Sequence, residues 1–226
     1  VTGRAQPTLR GLVVDWGGVL TTDVRLAMES WASVEGIPAE ALRSSFRQWL
    51  GPTEAAREIA NPVHLLERGE IETTEFEFFL ADALGRVSGR RLEPEGLLAR
   101  MFAFFTGAPA MNALVYRARH SGIRTALLSN SWGNHYPSEV WDGMFDAVVI
   151  SGQVGMRKPE LAIYQHACAQ LRLAPQECVF VDDLEHNVSA AVEAGMVGVH
   201  HTSYEVTAAE LSTLFGRDLT AGRDVP

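Results

Sequence analysis

The chain has 226 residues, 46% of them hydrophobic, enough for one large domain or a domain with an insertion, and too apolar for disorder. Its formal net charge of −9 argues against a nucleic-acid-binding surface. Cys168 and Cys178 stand in no metal-type spacing and read as reduced core thiols of a cytoplasmic protein, while no apolar run approaches the roughly 18 residues of a membrane span and no basic-then-apolar leader opens the chain.

The first predicted strand is Leu9–Asp15 (LRGLVVD), an apolar run that ends on one carboxylate and turns at once through Gly17 and Gly18. A long stretch without a strand signal follows. Asp23 is placed to cap a helix through Val34, Pro38 to open another through Leu50, and Thr74 to cap EFEFFLADAL, which is expected to stop at Gly85. Pro94–Phe105 reads as a helix returning the chain to the core. Residues 21–92 are therefore expected to form an inserted all-helical cap, with 1–20 and 93–226 as the core.

Beyond the insertion, helix and strand alternate. A helix over Met111–His120, stopped by Gly122, precedes the strand Ile123–Ser129. Phe145–Ser151 is the third strand. A helix over Pro159–Leu171, with Pro159 at its first position, leads to the fourth strand, Cys178–Asp182. Asn187–Ala194, ending at Gly195, leads to the fifth, Met196–His200, and Ala208–Phe215 is the last helix. Short apolar runs without strict alternation suit strands covered on both faces. Their alternation with helices predicts an α/β fold: a doubly wound, Rossmann-like parallel sheet of order 3-2-1-4-5, or that order with its edges extended.

In such sheets ligands bind beyond the carboxyl ends of the strands, where strand order reverses. With the first strand between the second and fourth, the carboxyl ends bring Asp15, Ser129 with Asn130, and Asp182 with Asp183 to one crevice. Lys158, in QVGMRKPELAIY, sits just ahead of a helix whose positive end suits Glu160. Neighbouring strand residues point to opposite sides, so Asp182 and Asp183 are not both expected to bind one ion.

Asp15 in VVDWGGVL, Ser129 in ALLSNS, Lys158 in GMRKPE and Asp182-Asp183 in VFVDD fall in the order of the four motifs of the haloacid dehalogenase superfamily. The chain resembles its helical-cap branch, which includes the amino-terminal phosphatase domain of soluble epoxide hydrolase; LLERGEIETTEF is similar to the caps of that branch. The resemblance implies a Mg²⁺-dependent phosphatase acting on a small phosphorylated substrate. Asp15 would be the nucleophile. Asp15, the backbone carbonyl of Gly17 and Asp183 would hold the metal. Ser129, Asn130 and Lys158 would bind the phosphate, and Asp182 would support Lys158 or a metal-bound water. The residue types suit these roles. A carboxylate is ionised at neutral pH and can attack phosphorus, Mg²⁺ takes oxygen ligands, and Lys158 and Ser129 can meet phosphoryl oxygens.

Gly17 departs from the family. Most of its phosphatases carry an acid–base Asp at that position, and such help is worth about 10²–10⁴-fold in rate. Three consequences are open: a substrate with a good leaving group, such as an acyl phosphate or diphosphate; a substitute acid among Asp23, His135 or a cap residue; or a weakly active or non-catalytic phospho-ligand-binding protein. A metal-independent haloacid dehalogenase using Asp15 on carbon is the other enzymatic alternative. The clusters FEFF (76–79) and FAFF (102–105) read as core of the cap, Trp16 and Trp132 as candidates to line the crevice, and His200-His201 as packing residues distant from the metal.

Overall fold

A computed structural model of the chain describes residues 8–50, 61–133, 136 and 138–220. Five strands form one parallel sheet: β1 (Gly11–Val14), β2 (Arg124–Ser129), β3 (Ala147–Ile150), β4 (Cys178–Asp182) and β5 (Val197–His200). Their order is β3-β2-β1-β4-β5. Val14 pairs with Leu127 on one side and Val181 on the other. The ends of the three central strands therefore stop at nearly the same level.

The unbroken apolar runs of these strands follow from two-sided coverage. Leu12, Val14, Leu127, Val179 and Val181 join one buried cluster with Leu114 and Val115 of α6 (Pro109–His120) and Leu211 of α10 (Tyr204–Phe215). Val13, Ala126, Leu128 and Phe180 join another with Ile163 and Tyr164 of α8 (Leu161–Gln170) and Ala191 of α9 (Glu185–Glu193). A short helix, α7 (Ser151–Val154), follows β3 directly, so Ser151 starts a helix rather than ending a strand.

Between β1 and β2 lie helices α1 (Val24–Glu35), α2 (Ala39–Leu50), α3 (Pro62–Glu67), α4 (Thr73–Ser88) and α5 (Leu97–Phe102). They bury a cluster of their own, with Trp31, Leu42, Phe76, Leu80, Leu84 and Leu98 at its centre. Phe102 and Phe105 pack against both this cluster and the sheet. Asp23 caps α1 as its sequence suggests, accepting the Leu26 N–H at 3.0 Å. The chain leaves and re-enters the sheet at one place. Thr21 bridges Gly107 in antiparallel fashion, Thr22 N donates to Thr106 O at 2.8 Å and Ala108 N to Leu20 O at 2.8 Å.

Several local expectations differ from the structure for physical reasons. Thr74 lies inside α4, not at its cap, and the helix runs through Gly85 to Ser88. Gly85 answers to a tertiary approach instead: a Cβ there would meet Arg90 O at 2.7 Å, where the chain folds back after the helix. Pro159 precedes α8 without entering it. Glu160 occupies the cap, and its N–H donates to Arg157 O at 2.9 Å in a turn. The helix expected over Pro94–Phe105 is confined to α5, opened by Gly96.

Candidate active site

Asp15 follows β1, and its N–H donates to Val181 O at 2.9 Å, extending the ladder by one step. The residue is 8% exposed. Its neighbour across the crevice is Lys158, whose Nζ lies 2.7 Å from Asp15 Oδ1 and 2.7 Å from Asp182 Oδ2. Lys158 and Asp182 are fully buried. Burial pulls Lys158 down, but Asp15 and Asp182 outweigh it and hold the ammonium above its ordinary range. Asp182 is pinned from the other side by Leu184 N at 2.9 Å and Asn187 Nδ2 at 3.1 Å.

Lys158 is held through its backbone. Its N–H donates to Asn130 Oδ1 at 2.9 Å, and Asn130 Nδ2 donates to its carbonyl at 3.1 Å. Asn130 thus fastens the end of β2 to the Lys158 loop. Ser129, the last residue of β2, is 2% exposed and accepts the Tyr136 O–H at 3.0 Å. Burial pushes Tyr136 up to about 12, so the phenol stays protonated and remains a donor at neutral pH.

Asp183 stands just past β4, where the chain bends. Asp15, Asp182 and Asp183 each offer a carboxylate oxygen within 4.8 Å of the others. The two acids have different partners: the Asp182 carboxylate is engaged by Lys158, Leu184 N and Asn187, and Asp183 Oδ2 stands against Gly18. Lys158 pairs with Asp15 and Asp182 and leaves Asp183 without a bonded cation among the described residues, and the excess negative charge is costly in a buried place. Burial pushes Asp15 up to about 7 against the pull of Lys158, with Asp182 and Asp183 adding to the rise. Burial and then Asp182 push Asp183 up to about 6. A compact set of hard oxygen donors with surplus negative charge fits a divalent cation such as Mg²⁺.

The two glycines after Asp15 differ. Gly18 has a left-handed φ of +73°, and its N–H donates to Thr21 Oγ1 at 3.0 Å. Gly17 has no left-handed φ, and a Cβ there would sit 3.3 Å from Val24 Cγ2. Beside Asp183 opens a cleft of about 540 Å³, lined by Gly18, Thr21, Asp23, Met111 and Tyr204 among others. Asp23 therefore borders the cleft while capping α1; His135 lies outside the described residues.

Trp16 turns into the core, stacked on Phe105 at 6.0 Å and edge-on to Tyr136 at 5.1 Å. Trp132 packs between Phe46 and Phe76 of the inserted helices. Phe76 is buried, but Phe78 and Phe79 are exposed, so FEFF is only partly core. His200 is nearer the acids than expected, with Nε2 2.9 Å from Asp183 O. Tyr136 and Asn187 escaped sequence reasoning; neither carries a motif, and both act through a bond to a motif residue.

The profile of the haloacid dehalogenase-like hydrolases matches residues 9–195. The chain belongs to that family. Among its relatives, the sesquiterpene phosphatase astK of Aspergillus oryzae is 33% identical over 159 residues, 66% of this chain and 77% of the relative. Bifunctional epoxide hydrolase 2 of Mus musculus is 28% identical over 159 residues, 63% of this chain; the match spans only 29% of that longer protein. Among solved structures, HAD family enzyme BT-2542 of Bacteroides thetaiotaomicron, in complex with magnesium and inorganic phosphate, superposes with a TM-score of 0.62 at 21% identity. That match covers 86% of this chain and 94% of the other and is a likeness of fold. This member of the haloacid dehalogenase-like hydrolases is thus a hydrolase with its motif residues gathered at the ends of β1, β2 and β4. None of its described helices is long and apolar enough to cross a membrane.

Proposed function

We propose that this hydrolase is a Mg²⁺-dependent phosphatase that removes phosphate from a small phosphorylated compound through an aspartyl phosphate on Asp15. The observation that carries this reading is the gathering of Asp15, Asp182 and Asp183, with carboxylate oxygens within 4.8 Å of one another, beside the buried Lys158 that pairs with the first two. Displacement of halide from carbon has no use for the third carboxylate. The magnesium and phosphate held by BT-2542, and the phosphatase activity named for astK, agree with it.

Asp15, Asp183 and the Gly17 carbonyl would hold Mg²⁺. When bound, the ion supplies positive charge to the phosphoryl oxygens and to the carboxylates, lowering the repulsion between two anions. Asp15 attacks phosphorus in line; the Asp15 O–P bond forms as the bond to the leaving oxygen breaks. Lys158 Nζ and the Ser129 O–H donate to phosphoryl oxygens. Tyr136, by donating to Ser129 Oγ, leaves the serine proton for the substrate. Asn130 keeps Lys158 in place. Water then attacks the aspartyl phosphate, releasing phosphate and restoring Asp15.

The missing acid at Gly17 favours leaving groups that depart as stable anions, such as an acyl phosphate or diphosphate. Residues 21–92 would act as the cap over the crevice, exclude water and select the substrate. The free thiols of Cys168 and Cys178 suit a reducing cytoplasm.

The test is hydrolysis of p-nitrophenyl phosphate with Mg²⁺, in EDTA, and by Asp15→Asn. Activity is expected only in the wild type with metal. Persistence in EDTA or in Asp15→Asn overturns the mechanism, and halide release from 2-chloropropionate would support the dehalogenase instead.

A further inference from the structure

The loops bearing Ser129 and Lys158 are joined to each other by Asn130, and both are also joined to a single carboxylate from the inserted helices. Glu67, the last residue of α3, is 4% exposed. Its Oε1 accepts the indole N–H of Trp132 at 3.0 Å, and its Oε2 accepts Arg157 Nε at 2.5 Å. Trp132 continues the loop that follows Ser129, and Arg157 immediately precedes Lys158. Phe46 stacks on the Trp132 ring at 5.8 Å and Phe76 meets it edge-on at 5.5 Å. One residue further on, Arg68 Nε donates to Glu160 Oε1 at 3.0 Å, and Glu160 Oε2 accepts the Arg157 N–H at 3.3 Å. The insertion also meets the core backbone to backbone here: a Cβ on Gly69 would lie 2.5 Å from Gly152 O.

From this geometry we infer that Glu67 is a positioning residue for the reaction. It ties the Ser129 loop to the Lys158 loop across the insertion, so the two phosphate-binding groups take their working spacing only while α3 is seated on the crevice. Both oxygens of the carboxylate are engaged, one by each loop. A neutral amide at this position would keep one acceptor but turn an N–H toward one of two donors, so it cannot hold both loops. The kinetic arm of this inference rests on the phosphatase reading; the exchange arm does not.

Glu67→Gln and Arg157→Gln are compared with Glu35→Gln, which breaks the Glu35–Arg100 pair (2.6 Å) between α1 and α5, a bond to neither loop. Amide hydrogen exchange is followed by mass spectrometry over residues 129–133 and 156–160. Steady-state constants are measured with p-nitrophenyl phosphate and Mg²⁺. Glu67→Gln and Arg157→Gln are expected to speed exchange in both loops together. They should also lower kcat by about tenfold or more, with a smaller change in KM, as befits loss of one partner of a buried charge pair. Glu35→Gln should alter neither. Unchanged exchange, faster exchange in one loop only, or the same response in Glu35→Gln would overturn the proposal. If the wild type does not hydrolyse the ester, the phosphatase reading fails alone and the exchange result still decides for or against Glu67. If Glu67→Gln does not fold, Arg157→Gln tests the same bond from the other side.

Discussion

A Cβ on Gly18 would lie 2.3 Å from Asp183 Oδ2 and 2.7 Å from its Cγ. The second glycine after Asp15 therefore makes room for a carboxylate that arrives from a strand far along the chain. Gly18→Ala carries two penalties: an alanine at φ +73°, worth about 1–2 kcal/mol, and displacement of Asp183. We expect the Mg²⁺ concentration for half-maximal activity to rise about tenfold or more, read from a metal titration of phosphatase rate and of Tm. An unchanged titration would remove Asp183 from the metal site.

Gly17 predicts the opposite outcome. Its backbone is not left-handed, and its nearest obstacle is a valine methyl at 3.3 Å. Gly17→Asp requires a shift of a few tenths of an ångström in the Val24 methyl and places a carboxyl where this chain has no side chain. For an alkyl phosphate, whose leaving group needs a proton, kcat should rise by about 10²–10⁴-fold; p-nitrophenyl phosphate should gain far less. Equal gains on both substrates would contradict the role assigned to the missing side chain.

The acids also set a pH dependence. Folding raises Asp15 to about 7 and Asp183 to about 6, above an ordinary carboxyl near 4. Both groups bind protons more tightly folded than unfolded. Their contribution to stability is therefore present below about pH 4 and lost as pH rises through about 6 to 7. In EDTA, Tm should fall over that window, and Asp183→Asn should flatten the fall. Added Mg²⁺ should raise Tm increasingly toward neutral pH, because the ionised acids bind it best.

Tyr136 offers a milder test. Removing its hydroxyl deprives Ser129 of a donor at 3.0 Å. A typical hydrogen bond contributes about 0.5–1.5 kcal/mol, so Tyr136→Phe should cost roughly 2- to 10-fold in kcat/KM. Ser129→Ala in the same background should then cost less than Ser129→Ala alone, because the pair acts as one unit.

The sheet is legible in the sequence because each strand is an apolar run bounded by helix signals, and its topology gathers Asp15, Ser129, Asp182 and Asp183, while Lys158 is legible from its loop ahead of a helix and is held there by Asn130. What escaped was tertiary. Glu67 finds Arg157 90 residues away, a pairing no local pattern encodes. Tyr136 sits in a loop without periodicity. Gly85 resembled a helix stop, but the returning chain at Arg90 requires it. The bonds that hold Asp182 also lay beyond local pattern: Leu184 N and Asn187 Nδ2 both donate to its carboxylate.

The antiparallel pairing of residues 20–22 with 106–108 has an engineering consequence. Because the excursion departs and returns at adjoining points, everything between those points resembles a removable attachment on a fixed mount. Exchanging it for the corresponding span of a relative should transplant selectivity while leaving the registration of β1 against its neighbours intact, provided the graft also brings an anion to stand where Glu67 does.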